Sequence, residues 1–95
     1  MSDHDGQERR EIYYSGRVQG VGFRYTVRSL AARFDVMGFV RNRSDGRVQL
    51  VVEGAAAEVQ RFLDTVASEM GYYIGDTRST TESASGSFEG FEIRF

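Results

Sequence analysis

Ser15-Gly16-Arg17-Val18-Gln19-Gly20-Val21-Gly22-Phe23-Arg24 decides how the rest of the chain is read. It holds three glycines within seven positions, at 16, 20 and 22. Ahead of it runs Ile12-Tyr13-Tyr14, a β-branched and aromatic run that reads as strand. Behind it, Val27, Leu30, Ala31 and Phe34 recur at the i, i+3, i+4, i+7 spacing of one helix face. The stretch therefore joins the C-terminal end of a strand to the N-terminal end of a helix.

That position has a chemical consequence. The first N–H groups of a helix lack internal partners, and the helix dipole adds partial positive charge there. Glycines allow successive N–H groups to turn into one concavity, a nest for an anion. Arg24, at the start of the expected helix, offers a planar fork of donors that matches phosphate or carboxylate. Residues 17–24 thus read as an oxyanion cradle. The plain alternative is a tight turn that uses glycine only to change direction, and spacing alone leaves both open. No Gly-Lys-Ser/Thr follows, and the glycine spacing is not that of a dinucleotide-binding turn.

Working outward, strand one is expected over Glu11–Val18 and helix one over Arg24–Phe34. Strand two follows over Val36–Asn42, and Asp45-Gly46 signals a hairpin. Strand three, Arg47–Glu53, puts Val48, Leu50 and Val52 on one face. Val51 breaks the alternation, so the other face is expected to be partly covered. Helix two, Ala55–Met70, carries a stripe of Val59, Phe62, Leu63, Val66 and Met70, with Gly71 as its C-cap. The segment 72–81 is the least legible; a strand is placed at Gly75–Thr80, then a loop at Glu82–Gly86. Phe91, Ile93 and Phe95 alternate with Glu92 and Arg94 as a closing strand. The order βαββαβ, with one added strand, predicts an α+β sandwich of ferredoxin-like type. Two helices lie on one face of a mixed, mostly antiparallel sheet.

Composition narrows the function. At 95 residues with 40% hydrophobic content, the chain makes one domain with a modest core. The expected division is a flexible polar leader over 1–10, which contains the lone His4, and a folded domain over 11–95. A net charge of −2 provides no global field for nucleic acid or anionic membrane, so attraction for an anion must be local. No apolar run approaches the ~20 residues of a membrane span. The chain has no cysteine, which removes disulfides, thiolate catalysis and cysteine-based zinc sites and fits the cytoplasm as the expected location. No metal site and no cofactor are expected, and the domain is expected to act as a monomer.

The string Gly16-Arg-Val-Gln-Gly-Val-Gly-Phe-Arg24 closely resembles the phosphate-loop signature of the acylphosphatase family. Gly38-Phe-Val-Arg-Asn42-Arg-Ser-Asp-Gly-Arg-Val48 resembles that family's second signature, and Phe91–Phe95 resembles its closing strand. Relatives often carry proline in the turn after helix two, whereas this chain has Gly71-Tyr-Tyr-Ile-Gly75 there and no proline at all. The resemblance implies the same ferredoxin-like fold. It also implies hydrolysis of small-molecule acyl phosphates to a carboxylate and inorganic phosphate, which also acts as an inhibitor. Arg17, Val18, Gln19, Gly20, Val21, Gly22, Phe23 and Arg24 match the phosphate-binding loop, and Asn42 matches the asparagine that orients the attacking water. On spacing alone, Asn42 reads instead as a turn residue that bonds its own backbone before a hairpin, and the resemblance reverses that preference.

Two rival readings remain from other classes. One is a non-catalytic anion-binding or regulatory domain of the same fold. The other is an RNA-binding module, which shares the element order. It needs a basic sheet with aromatics on the third strand, whereas Arg47–Glu53 holds none.

Overall fold

Residues 7–95 are described by the computed structural model. Strand β1 (Gln7–Gly16) leads into the glycine-rich loop, which opens helix α1 (Phe23–Ala31). Strands β2 (Val36–Asn42) and β3 (Val48–Ala55) form a hairpin, followed by helix α2 (Ala56–Met70) and a 3-10 turn at Gly71–Tyr73. Strand β4 (Ile74–Ser83) and the short β5 (Phe91–Arg94) complete the chain. The sheet order is β4-β1-β3-β2-β5, with β5 parallel to β2 and every other pairing antiparallel. This is the expected ferredoxin-like arrangement with one added strand.

The helix-facing side of the sheet is set by alternation. Ile12 and Tyr14 of β1, Val40 of β2, and Val48, Leu50 and Val52 of β3 point inward and are buried. They meet Val27 and Leu30 of α1 and the α2 stripe of Val59, Phe62, Leu63, Val66 and Met70. The central strand β3 is buried on both faces, since Gln49, Val51 and Glu53 are also covered. Gln49 Nε2 donates to Glu11 Oε2 (2.7 Å), and the 84–90 segment covers the Glu53 end of that face. The Glu53 carboxylate accepts hydrogen bonds from Ser85 N (2.9 Å), Ser85 Oγ (2.7 Å) and Gly86 N (3.0 Å). Phe88 of the same segment stacks on Phe39, ring centroids 6.0 Å apart.

Several element ends differ from the expectation, each for a physical reason. β1 begins at Gln7, not Glu11, so residues 7–10 of the expected leader are strand. Their backbone pairs with β3 on one side, and residues 8–10 pair with β4 on the other. Polar side chains conceal a strand that is held from both edges by its backbone. The remainder of that leader, with His4, lies outside the described residues. β1 stops at Gly16, which leaves Val18 in the loop. α1 stops at Ala31: Arg33 N bonds Leu30 O (3.0 Å) and Phe34 N bonds Ala31 O (3.1 Å), a tightened last turn. Phe34 keeps its place in the helical stripe because it packs on Phe62 from that turn, centroids 5.8 Å apart.

Gly71 follows α2 in right-handed conformation (φ −55°) and begins the 3-10 turn, so it makes no left-handed cap. β4 extends from Ile74 to Ser83 and takes in two residues of the expected loop, Glu82 and Ser83. Beyond Ile74 it is exposed throughout, an edge strand without a buried face, so no alternation marks it. Among the described residues, no helix is long and apolar enough to cross a membrane.

Candidate active site

The loop between β1 and α1 is pinned at both ends by side chains that enter the core. Val18 is fully buried, and Phe23 is buried against Tyr14, ring centroids 5.3 Å apart. The backbone between them is pushed toward solvent. Gly20 (φ 81°) and Gly22 (φ 77°) are left-handed, whereas Gln19, Val21 and Phe23 keep negative φ. Alternation of handedness along successive residues turns neighbouring N–H groups to the same side, the geometry of an anion nest. Among the described residues, no atom lies within 4 Å of a Cβ built at 20 or 22, so glycine is required there by conformation and not by space. Gly22 is also the N-cap of α1, and its carbonyl accepts from Thr26 N at 3.0 Å. Among the described residues, the backbone N–H groups of residues 18–22 have no acceptor.

A cavity of about 200 Å³ opens onto this loop, lined by Val18, Gly20, Gly22, Phe23, Arg24, Tyr25 and Asn42. Arg24 belongs to the first turn of α1, and its guanidinium lies over the ring of Phe95, with Cζ 4.9 Å from the centroid. Asn42 ends β2 on the helix-facing side, paired with Val48. Its Oδ1 is buried and, among the described residues, has no hydrogen-bond partner. A buried side-chain oxygen without a partner is unusual and calls for an explanation at that site.

Of the loop residues expected from the sequence, Val18, Gly20, Gly22, Phe23 and Arg24 line the cavity with Asn42, and Arg17, Gln19 and Val21 do not. Arg17 N donates to Tyr73 O at 2.9 Å, which ties the start of the loop to the 3-10 turn. Gln19 Nε2 donates to both Arg43 O (2.8 Å) and Arg47 O (2.9 Å). Its side chain therefore clamps the loop to the β2–β3 hairpin and sets the spacing between loop and Asn42. Local sequence carries no sign of that long-range bond. Tyr25 and Phe95 are likewise additions that the tertiary structure brings to the site. The position of Tyr25 directly after Arg24 in a helix's first turn was the available signal for one of them.

The arginines of the hairpin turn away from the cavity. Arg47 pairs with Asp45 (2.8 Å) and stacks on Tyr13, Cζ 4.4 Å from the centroid, on the sheet face opposite the helices. The hydrogen bonds from the Arg47 side chain and backbone hold the Asp45 carboxyl below its usual range. Among the described residues, Arg24 forms no ion pair. Also among the described residues, no group of three or more His, Cys, Asp or Glu is placed to hold a metal ion.

Comparison with known proteins places these features in context. The sequence model of a family described as Acylphosphatase matches residues 10–93. The chain is 41% identical over 88 residues to an acylphosphatase of Rubrobacter xylanophilus, spanning 92% of this chain and 80% of that protein. It is 41% identical over 91 residues to one from Salinibacter ruber, spanning 94% and 96%. The fold is similar to the crystal structure of acylphosphatase from Bacillus subtilis. The TM-score is 0.85 at 34% identity, covering 93% of this chain and 99% of that one.

Proposed function

The chain belongs to the acylphosphatase family, and from that premise we propose that it cleaves the carboxyl–phosphate bond with Arg24 and Asn42 in separate roles. The loop amides and the Arg24 guanidinium hold the phosphoryl oxygens. Asn42 holds the attacking water. The observation that carries this reading is the buried Asn42 Oδ1 without a partner, lining the same cavity as Arg24 and the two left-handed glycines. A water donating to that oxygen satisfies it and is positioned beside the cradle.

The chemistry matches the residues available. Water oxygen attacks phosphorus, the bond from phosphorus to the acyl oxygen breaks, and the electron pair leaves with the carboxylate. The conjugate acid of that leaving group has a pKa near ~4, so it departs as an anion without a protein general acid. Asn42 is neutral and cannot take up the water's proton, which passes to a phosphoryl oxygen of the substrate. The negative charge that spreads over the equatorial oxygens is met by N–H groups and a guanidinium already in place. Asn42 contributes orientation, which spares the barrier the entropy of fixing the water. No step calls for a metal ion.

Benzoyl phosphate turnover in excess EDTA, with inorganic phosphate as inhibitor, tests the reading. Undiminished turnover and competitive inhibition are expected. Turnover lost to EDTA and restored by a divalent ion overturns the metal-free step. Noncompetitive inhibition overturns the shared phosphate site, and phosphate binding without any hydrolysis leaves a non-catalytic anion-binding domain.

A further inference from the structure

Large apolar side chains are not exposed evenly over this molecule. Among the described residues they are Val21 (38% exposed), Tyr25 (52%), Tyr72 (83%) and Phe95 (90%). Tyr25 lines the cavity, and Val21 stands between the two glycines that line it. Phe95 stacks on the cavity-lining Arg24. Tyr72 precedes Tyr73, whose carbonyl holds Arg17 at the start of the loop. All four therefore gather at the end of the molecule that carries the loop. A single exposed apolar residue needs no explanation, but Val21, Tyr25 and Phe95 gathered beside one cavity mark a surface that receives something apolar.

The phosphoryl group has no use for such a surface, because its oxygens are matched by the nest and by Arg24. What projects from the cavity mouth is the rest of the substrate. We infer that Val21, Tyr25 and Phe95 form an apolar collar for the acyl group, so that the protein favours acyl phosphates with extended or aromatic hydrocarbon over small or charged ones. The collar draws on three separate elements: the loop, the first turn of α1 and the residue after β5. Arg28 lies over the Tyr25 ring, Cζ 5.5 Å from the centroid. The inference rests on the acyl phosphate reading above and names the substrate class within it.

The test uses a homologous series of acetyl, butanoyl and hexanoyl phosphate. Their carboxylic acids are of nearly equal strength, so the leaving group stays constant while the hydrocarbon lengthens. A fully buried methylene is worth roughly fourfold in affinity, and an open collar about half of that effect on a logarithmic scale. KM is expected to fall about tenfold or more from acetyl to hexanoyl phosphate, with kcat nearly unchanged. Tyr25→Ser and Phe95→Ser are each expected to compress the ratio of the two KM values toward one. The ratio cancels any effect of Phe95 on the phosphoryl grip of Arg24. Equal KM values across the series in the unaltered protein overturn the collar, as does a ratio that neither substitution changes. Failure to hydrolyse any member overturns the acyl phosphate reading itself, which separates the two failures.

Discussion

The Arg24 guanidinium lies over the ring of Phe95, Cζ to centroid 4.9 Å, so the cavity's one arginine is braced by an aromatic residue 71 positions further along the chain (95 − 24). An exposed cation–π contact of this kind contributes about 0.5–1 kcal/mol. Its effect here is to restrict a long, flexible side chain at the wall of the cavity. Phe95→Ala is expected to weaken inhibition by inorganic phosphate about two- to fivefold, measured as Ki, whereas Phe95→Tyr keeps it.

Arg24→Lys preserves the charge and removes the planar fork. A loss of about 100-fold or more in kcat/KM is expected, of the size seen when one oriented donor to a developing charge is lost. Steady-state kinetics on benzoyl phosphate decide it; near-normal turnover shows that a point charge is sufficient.

Asn42→Ala separates chemistry from folding. Because Oδ1 has no protein partner, deleting it leaves no group behind unpaired, so thermal stability should hold or rise slightly. Phosphate affinity by calorimetry should stay within about threefold, while kcat falls about 100-fold or more through lost orientation. A turn asparagine that braces the hairpin gives the opposite pattern, with a lower melting temperature and intact turnover.

Gln19→Ala removes two hydrogen bonds that clamp the loop to the hairpin, from Nε2 to Arg43 O and Arg47 O. At about 0.5–1.5 kcal/mol each, a destabilisation of about 1–3 kcal/mol is expected, with a drop in kcat because loop and Asn42 lose their fixed spacing. Denaturant unfolding gives the first quantity and benzoyl phosphate kinetics the second. Loss of stability with unchanged kcat shows that the clamp serves folding alone.

Glu53 supplies a pH dependence. Burial pushes its carboxyl upward, but the hydrogen bonds from Ser85, Gly86 and Arg9 outweigh it and hold it below its ordinary value. A folded-state pKa below the unfolded value of ~4.3 contributes stability that is fully present above about pH 5 and is lost as pH falls through the folded pKa. Thermal melts of the native protein and Glu53→Gln should differ at neutral pH and converge as pH falls through the lowered folded-state pKa. A constant difference down to pH 2 refutes the linkage.

The helices, the core and the position of the loop were legible in the chain because each is written in nearest-neighbour patterns. Val59, Phe62, Leu63, Val66 and Met70 fall on one side of a helix at any tertiary arrangement, and all five are buried. Gly20 and Gly22 between a strand and a helix set a left-handed, N–H-rich turn wherever the domain folds around it. What composition could not reveal is pairing across distance. The polar run at 7–10 is strand only because β3 and β4 lie beside it, and β4 is strand only because β1 does. The Gln19 clamp, the Phe95 brace and the partnerless Asn42 oxygen all depend on where residues tens of positions apart come to rest. Local periodicity reports which side of an element faces inward; it carries no information about which distant group will stand opposite, and the site is made of such oppositions.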